Sequence, residues 1–83
     1  SDYKLYALQA KTFAALGKRL QQHRAQAESY LLLGQLAPAV EQLQYAQQAG
    51  DGNFFEQSQV DARLRELRKR QMDEEKEKKK NGG

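Results

Sequence analysis

Residues 29–52 read SYLLLGQLAPAVEQLQYAQQAGDG, and the fold turns on how this stretch is divided. Helix-forming residues lie on both sides, yet Gly34 and Pro38 stand four positions apart in the most apolar part of the chain. One kinked helix and two helices turned back on each other are the alternatives. Gly34 suits a helix C-terminus, where a residue without Cβ enters the left-handed conformation at no steric cost. Pro38 has no backbone N–H and clashes inside a helix, but it fits the first turn of a new one. The intervening Gln35–Ala37 has the length of a connection between antiparallel helices. The stretch therefore predicts a helical hairpin.

Reading outward from the hairpin gives four antiparallel helices, at about 3–16, 18–33, 38–49 and 56–72. In the first, Tyr3, Tyr6, Ala10, Phe13 and Leu16 recur at three- and four-residue spacing and mark one face. Gly17 ends it. In the second, Leu20, Ala27, Tyr30 and Leu31 face a neighbour, and Arg24 and Glu28 form an i, i+4 pair in the less favourable order. Ala39, Val40, Leu43 and Ala46 line the third, which stops at the turn sequence Gly50–Asn53. Phe54 and Phe55 are expected to anchor that turn against the helices. Val60, Leu64 and Leu67 form the seam of the fourth.

The bulk composition agrees with a small helical body. The chain has 83 residues, 39% of them hydrophobic, and no cysteine, so no disulfide or thiolate metal site can support it. No apolar run is long enough to span a bilayer, and no signal peptide is visible at Ser1. The net charge of +3 is unevenly placed. Residues 1–62 hold five basic and six acidic side chains, net −1, and residues 63–83 hold nine and five, net +4. The basic excess thus belongs to the last helix and the segment after it. Beyond Met72 the sequence DEEKEKKKNGG has no apolar residue to dock, which predicts a helical domain over 1–72 and a disordered charged tail over 73–83.

An internal echo points to a repeat. QAKTFAALG (9–17) and QAESYLLLG (26–34) match at an offset of 17 residues, so one helix with its turn is the repeating unit. Such units bury their apolar faces by stacking on neighbours. Ala27, Tyr30, Gly34, Leu36, Ala39, Leu43 and Ala46 together resemble the signature of the tetratricopeptide repeat (TPR), over about 20–53, with 56–72 as a closing helix. Two residues depart from it. His23 stands where the family often has tryptophan, and Asp51 where proline often ends the repeat. A narrower resemblance covers nearly the whole body. YALQAKTFAALGKRLQQHRAQAESYLLLGQLAPAVEQLQYA (6–46) and FFEQSQVDARLRELRKR (54–70) are similar to the C-terminal TPR region of bacterial periplasmic HExxH zinc metalloproteases of the β-barrel assembly-enhancing type.

The resemblance implies a TPR-like α–α superhelix fragment in the periplasm that engages the parent's protease domain, substrates or the outer-membrane assembly machinery. The repeat pattern, with no catalytic motif in the chain, predicts a non-catalytic protein-interaction module, and a monomer is expected. The zinc motif is absent from this chain, so any zinc would belong to the parent protein, and no catalytic, cofactor or metal residue carries over. By the family pattern, Gln21, Arg24, Glu28, Leu31 and Leu32 would line the partner-binding groove, with Arg24 donating to a carbonyl or carboxylate. For Leu31 and Leu32, packing within the fold is the alternative.

The residues themselves offer little catalytic chemistry. His23 is the one histidine, without a second imidazole or a spaced carboxylate cluster for a metal. Gly50-Asp51-Gly52 has no following Lys-Ser/Thr and is no phosphate loop. The alternative function is a basic nucleic-acid-binding helix using Arg63, Arg65, Arg68, Lys69 and Arg70. Glu66 and the acidic block at 73–77 dilute that charge, and no aromatic is interleaved for base stacking.

Overall fold

The computed structural model describes residues 2–82, which form four α-helices and no strand. These are α1 (Asp2–Ala15), α2 (Arg19–Leu32), α3 (Leu36–Gln48) and α4 (Phe54–Gly82). The fold is all-α, and Gly34 does separate two helices.

Both tight connections use the same device. At the end of α2, Gly34 takes φ +73°. Its N–H donates to Leu31 O and that of Gln35 to Tyr30 O, at 3.0 and 2.9 Å. At the end of α1, Gly17 takes φ +72°, its N–H donates to Ala14 O, and that of Lys18 to Phe13 O, at 3.1 and 2.9 Å. These paired bonds satisfy carbonyls that a helix end otherwise leaves open. Every participant in the first turn lies 17 residues before its counterpart in the second, so the echo in the sequence is a repeated turn in space. Pro38 is the third residue of α3 rather than its first. It precedes Ala39, whose N–H makes the first i→i−4 bond, to Gln35 O, so the missing proline donor costs the helix nothing.

One apolar cluster holds α2, α3 and α4 together. Its buried members are Leu20 and Ala27 from α2, Ala39, Val40, Leu43 and Ala46 from α3, and Val60, Leu64 and Leu67 from α4. All nine are seam positions expected from the periodicity. Ala27, Ala39, Leu43 and Ala46 are fully buried, and the three alanines let the hairpin helices approach closely. On the far side of α2, Ala10, Ala25 and Ser29 are buried outside this cluster. There Ser29 Oγ donates to Tyr3 O, tying the end of α2 to the start of α1. Consecutive helices are thus antiparallel, and α2 is packed on both sides. The result is a slab 48 × 29 × 14 Å across its Cα atoms.

Three expectations need correction. Leu16 is not on the inner face but lies 64% exposed, because the repeated three-residue steps carry it round the helix to the side of Leu8 and Thr12. Phe54 and Phe55 do not anchor the 50–53 turn: they are 88% and 67% exposed. Leu20 and the glycine turn fill the space beneath instead. The fourth helix also begins earlier and runs further than the seam indicates, from Phe54 to Gly82, where the sequence reading ended it near Met72. Residues 72–80 are all exposed, so nothing there is docked. Glu, Lys and Gln are good helix formers, Glu74–Lys78 and Glu75–Lys79 have the favourable i, i+4 order, and Lys79 and Lys80 complement the helix dipole. Gly83 lies outside the described residues.

Candidate functional site

The turn 50–53 places the beginnings of α2 and α4 side by side. Lys18 offers α2 no side-chain cap. The Asp51 carboxylate serves instead, accepting from the N–H groups of Arg19 and Leu20 at 2.5 and 2.9 Å. The Leu20 N–H bond is the main cause that holds the Asp51 carboxyl below the usual aspartate range. Gly52 lies directly against Leu20, where a Cβ would fall 2.4 Å from Leu20 Cδ1. Asn53 and Glu56 then form a reciprocal capping box: Glu56 N–H donates to Asn53 Oδ1 and Asn53 N–H to Glu56 Oε1, at 2.8 and 3.0 Å. The other oxygen of Glu56 accepts from Gln21 Nε2. One short turn therefore caps two helices and sets their register.

That register produces a polar face shared by α2 and α4. Gln21 meets Glu56, and Glu28 meets Arg63, an offset of 35 residues in both cases, so the two helices run parallel. Arg63 grips Glu28 through Nε to Oε1 and Nη2 to Oε2, both at 3.0 Å, and also reaches Glu66 at 2.8 Å. Its bonds to Glu28 are the main cause that raises the guanidinium pKa above the ordinary arginine value. The expected Arg24–Glu28 pair does not form. A bidentate contact between helices fixes Glu28 better than a weak contact along one helix.

The five residues expected to line a groove separate accordingly. Gln21 and Glu28 are half-buried and already bonded to α4. Leu31 packs against the apolar cluster, while Leu32 is exposed. Arg24 is half-buried one turn before Glu28, with no carboxylate partner among the described residues. The face thus offers a cation between the Gln21–Glu56 and Glu28–Arg63 contacts, with the exposed Leu32 one turn beyond Glu28.

The two departures from the repeat pattern are structural. His23 fills its position by donating from Nδ1–H to Gln42 Oε1 at 2.8 Å and by meeting the Tyr45 ring edge-on at 5.5 Å. Asp51 is the distant cap of α2. Among the described residues no three His, Asp or Glu side chains group as metal ligands, and no helix is long and apolar enough to cross a membrane. The basic tract does not form one face. Arg63 is turned inward onto Glu28, Lys69 pairs with Asp73 at 3.4 Å, and residues 65–70 spread their cations over about 200° of the helix at 100° per residue.

The exposed apolar side chains are the part of the surface that sequence reasoning missed. Phe54 and Phe55 follow the capping residue Asn53, and N-x-x-E at 53–56 was the available signal that they open a helix rather than plug a turn. Comparison with family models, curated proteins and solved structures returned no match.

Proposed function

We propose that this chain is a non-catalytic, monomeric protein–protein interaction module. In this reading it is a TPR-like hairpin, α2–α3, flanked by the neighbouring helices α1 and α4. The sequence resemblance further suggests the C-terminal region of a periplasmic zinc metalloprotease acting in outer-membrane protein assembly or quality control, with zinc held elsewhere in the parent. Its partners would be the protease domain, assembly components or substrate segments.

The observation that carries the reading is the α2–α4 face. Two parallel helices 35 residues apart present Arg24 free of a carboxylate, while Glu28 is neutralised by Arg63. An extended segment or a terminal carboxylate laid across this face would accept from Arg24, with Leu32 offering apolar contact about two turns further along α2. The test compares capture of envelope proteins by the wild-type chain and by Arg24→Glu. Loss of the same bands on substitution, with unchanged thermal stability, supports the reading. Equal capture by both, or recovery of nucleic acid alone in a complex that survives moderate salt, overturns it.

A further inference from the structure

The 17-residue echo makes a statement about the side of α1 that faces away from α2. In α2, the residues turned toward α1 include Gln22, Ala25, Ser29 and Leu33: Ala25 and Ser29 are buried there, and the other two line the α1–α2 groove. Shifted by 17 positions, they become Leu5, Leu8, Thr12 and Leu16. The relation also holds on the opposite faces. Tyr3, Ala7, Ala10 and Ala14 of α1 line its contact with α2, and their counterparts Leu20, Arg24, Ala27 and Leu31 lie on the far side of α2. Leu20, Ala27 and Leu31 there pack into the cluster shared with α3. Each helix thus uses one face to meet its predecessor and the other to meet its successor.

In α1 the predecessor-facing side is open. Leu5 and Leu8 within α1, and Leu16 just past its end, are 55%, 61% and 64% exposed. Thr12 satisfies its hydroxyl within the helix, donating to Leu8 O at 3.1 Å, and so asks nothing polar of a partner. Spacings of three and four residues keep the side chains on one stripe. The edge toward α2 carries Lys4 and Lys11, both exposed and without a carboxylate partner among the described residues; Lys4 Nζ lies 6.0 Å from the Tyr3 ring centroid, and Lys11 also borders the α1–α2 groove.

We propose that the Leu5–Leu8–Thr12–Leu16 face docks an amphipathic α-helix of a partner protein, antiparallel to α1, with acidic residues along the edge that meets Lys4 and Lys11. Continuity with the α1–α2 contact supplies the helical geometry and the direction. The two lysines supply the charge of the partner. A second copy fits poorly, because an antiparallel pair of α1 helices brings like edges together and sets lysine against lysine. Three leucines and a threonine also fall short of the roughly 800 Å² per partner that stable dimers bury. The proposal does not use the α2–α4 face and stands apart from the function suggested for it.

The experiment titrates two synthetic helical peptides into the isotopically labelled chain and follows backbone amide shifts. Both peptides carry an alanine–leucine seam at i, i+3, i+4, i+7 spacing; one has glutamates on the flanking edge and the other lysines. The proposal expects shifts at residues 4–16 with the glutamate peptide and about tenfold weaker binding with the lysine peptide. Leu8→Glu, at an exposed position, should abolish the shifts while leaving the thermal transition unchanged. Equal affinity for both peptides, no binding by either, or shifts confined to α2 and α4 overturns it. So does a concentration-dependent dimer that Leu8→Glu disperses, which names a second copy as occupant. Leu8-dependent binding to anionic phospholipid vesicles, with neither peptide bound, overturns it in favour of a lipid surface.

Discussion

Asp51 shows how one side chain can replace a local feature that the sequence omits. Lys18 cannot cap α2, and the two donors left open are taken by a carboxylate more than thirty residues away. Asp51→Ala should lower the melting temperature at neutral pH and speed amide exchange in the first turn of α2. Because the folded carboxyl titrates below its ordinary value, its contribution is complete above about pH 4, the unfolded range. It is lost as the pH falls through the folded pKa. The gap in melting temperature between wild type and Asp51→Ala should therefore be constant from pH 5 to 7, by roughly the range where aspartate is ionised in both states, and close on acidification. A gap that persists in acid would show that the side chain acts by packing. At the hairpin contact, Ala27 is fully buried against α3. Ala27→Leu should cost about 1–3 kcal/mol by overpacking, read from urea unfolding. Unchanged stability would mean that the helices are not in close contact at that point.

At the scale of the element, the two glycine turns are equivalent in hydrogen bonding and should be equivalent in energy. Gly34→Ala and Gly17→Ala each force a Cβ into the left-handed region, where the cost is about 1–2 kcal/mol, although neither Cβ would touch a neighbour. Denaturant midpoints that fall for both, by similar amounts, are the expected result. These turns, and the nine buried seam residues, were legible because they depend on spacing and on one residue type at one backbone conformation. The contacts that were not legible join positions with no sequence relation. Asp51 reaches Arg19 and Leu20, and Arg63 takes Glu28 from the neighbour expected to pair with it. Of the candidate groove, the family pattern named Gln21, Arg24 and Glu28, whose spacing puts them along one strip of α2. It could not show that α4 would engage two of them and leave Arg24. The Glu28–Arg63 pair is partly exposed and screened, so Glu28→Gln should cost no more than about 1 kcal/mol. Double-mutant cycles with Arg63→Gln would isolate that coupling, which should weaken as salt is raised.

For the whole molecule, the distribution of burial sets where cooperativity ends. The apolar cluster stops at Leu67 on α4, yet the helix continues for more than a dozen residues, exposed from Met72 to Lys80. Those last turns rest on propensity, i, i+4 charge pairs and the helix dipole, each contributing only tenths of a kcal/mol, and not on tertiary packing. They should open independently of the rest. Deleting residues 73–83 removes four acidic and four basic side chains, so the net charge stays at +3 and electrostatic repulsion is not altered in sum. The truncated chain should keep the wild-type melting temperature to within about 2 °C, since a shift of that size corresponds to well under 1 kcal/mol for a domain of this length. It should lose helical circular dichroism in proportion to the missing turns of α4. In the intact chain, amides beyond Met72 should exchange near the unprotected rate, and those of Val60, Leu64 and Leu67 should require global unfolding. A large fall in melting temperature on truncation would mean that the charged turns dock on the start of α3, where Leu36 and Ala37 border a groove with Glu74, Glu75 and Lys78. The exposure of all three charged residues is the physical reason to expect otherwise.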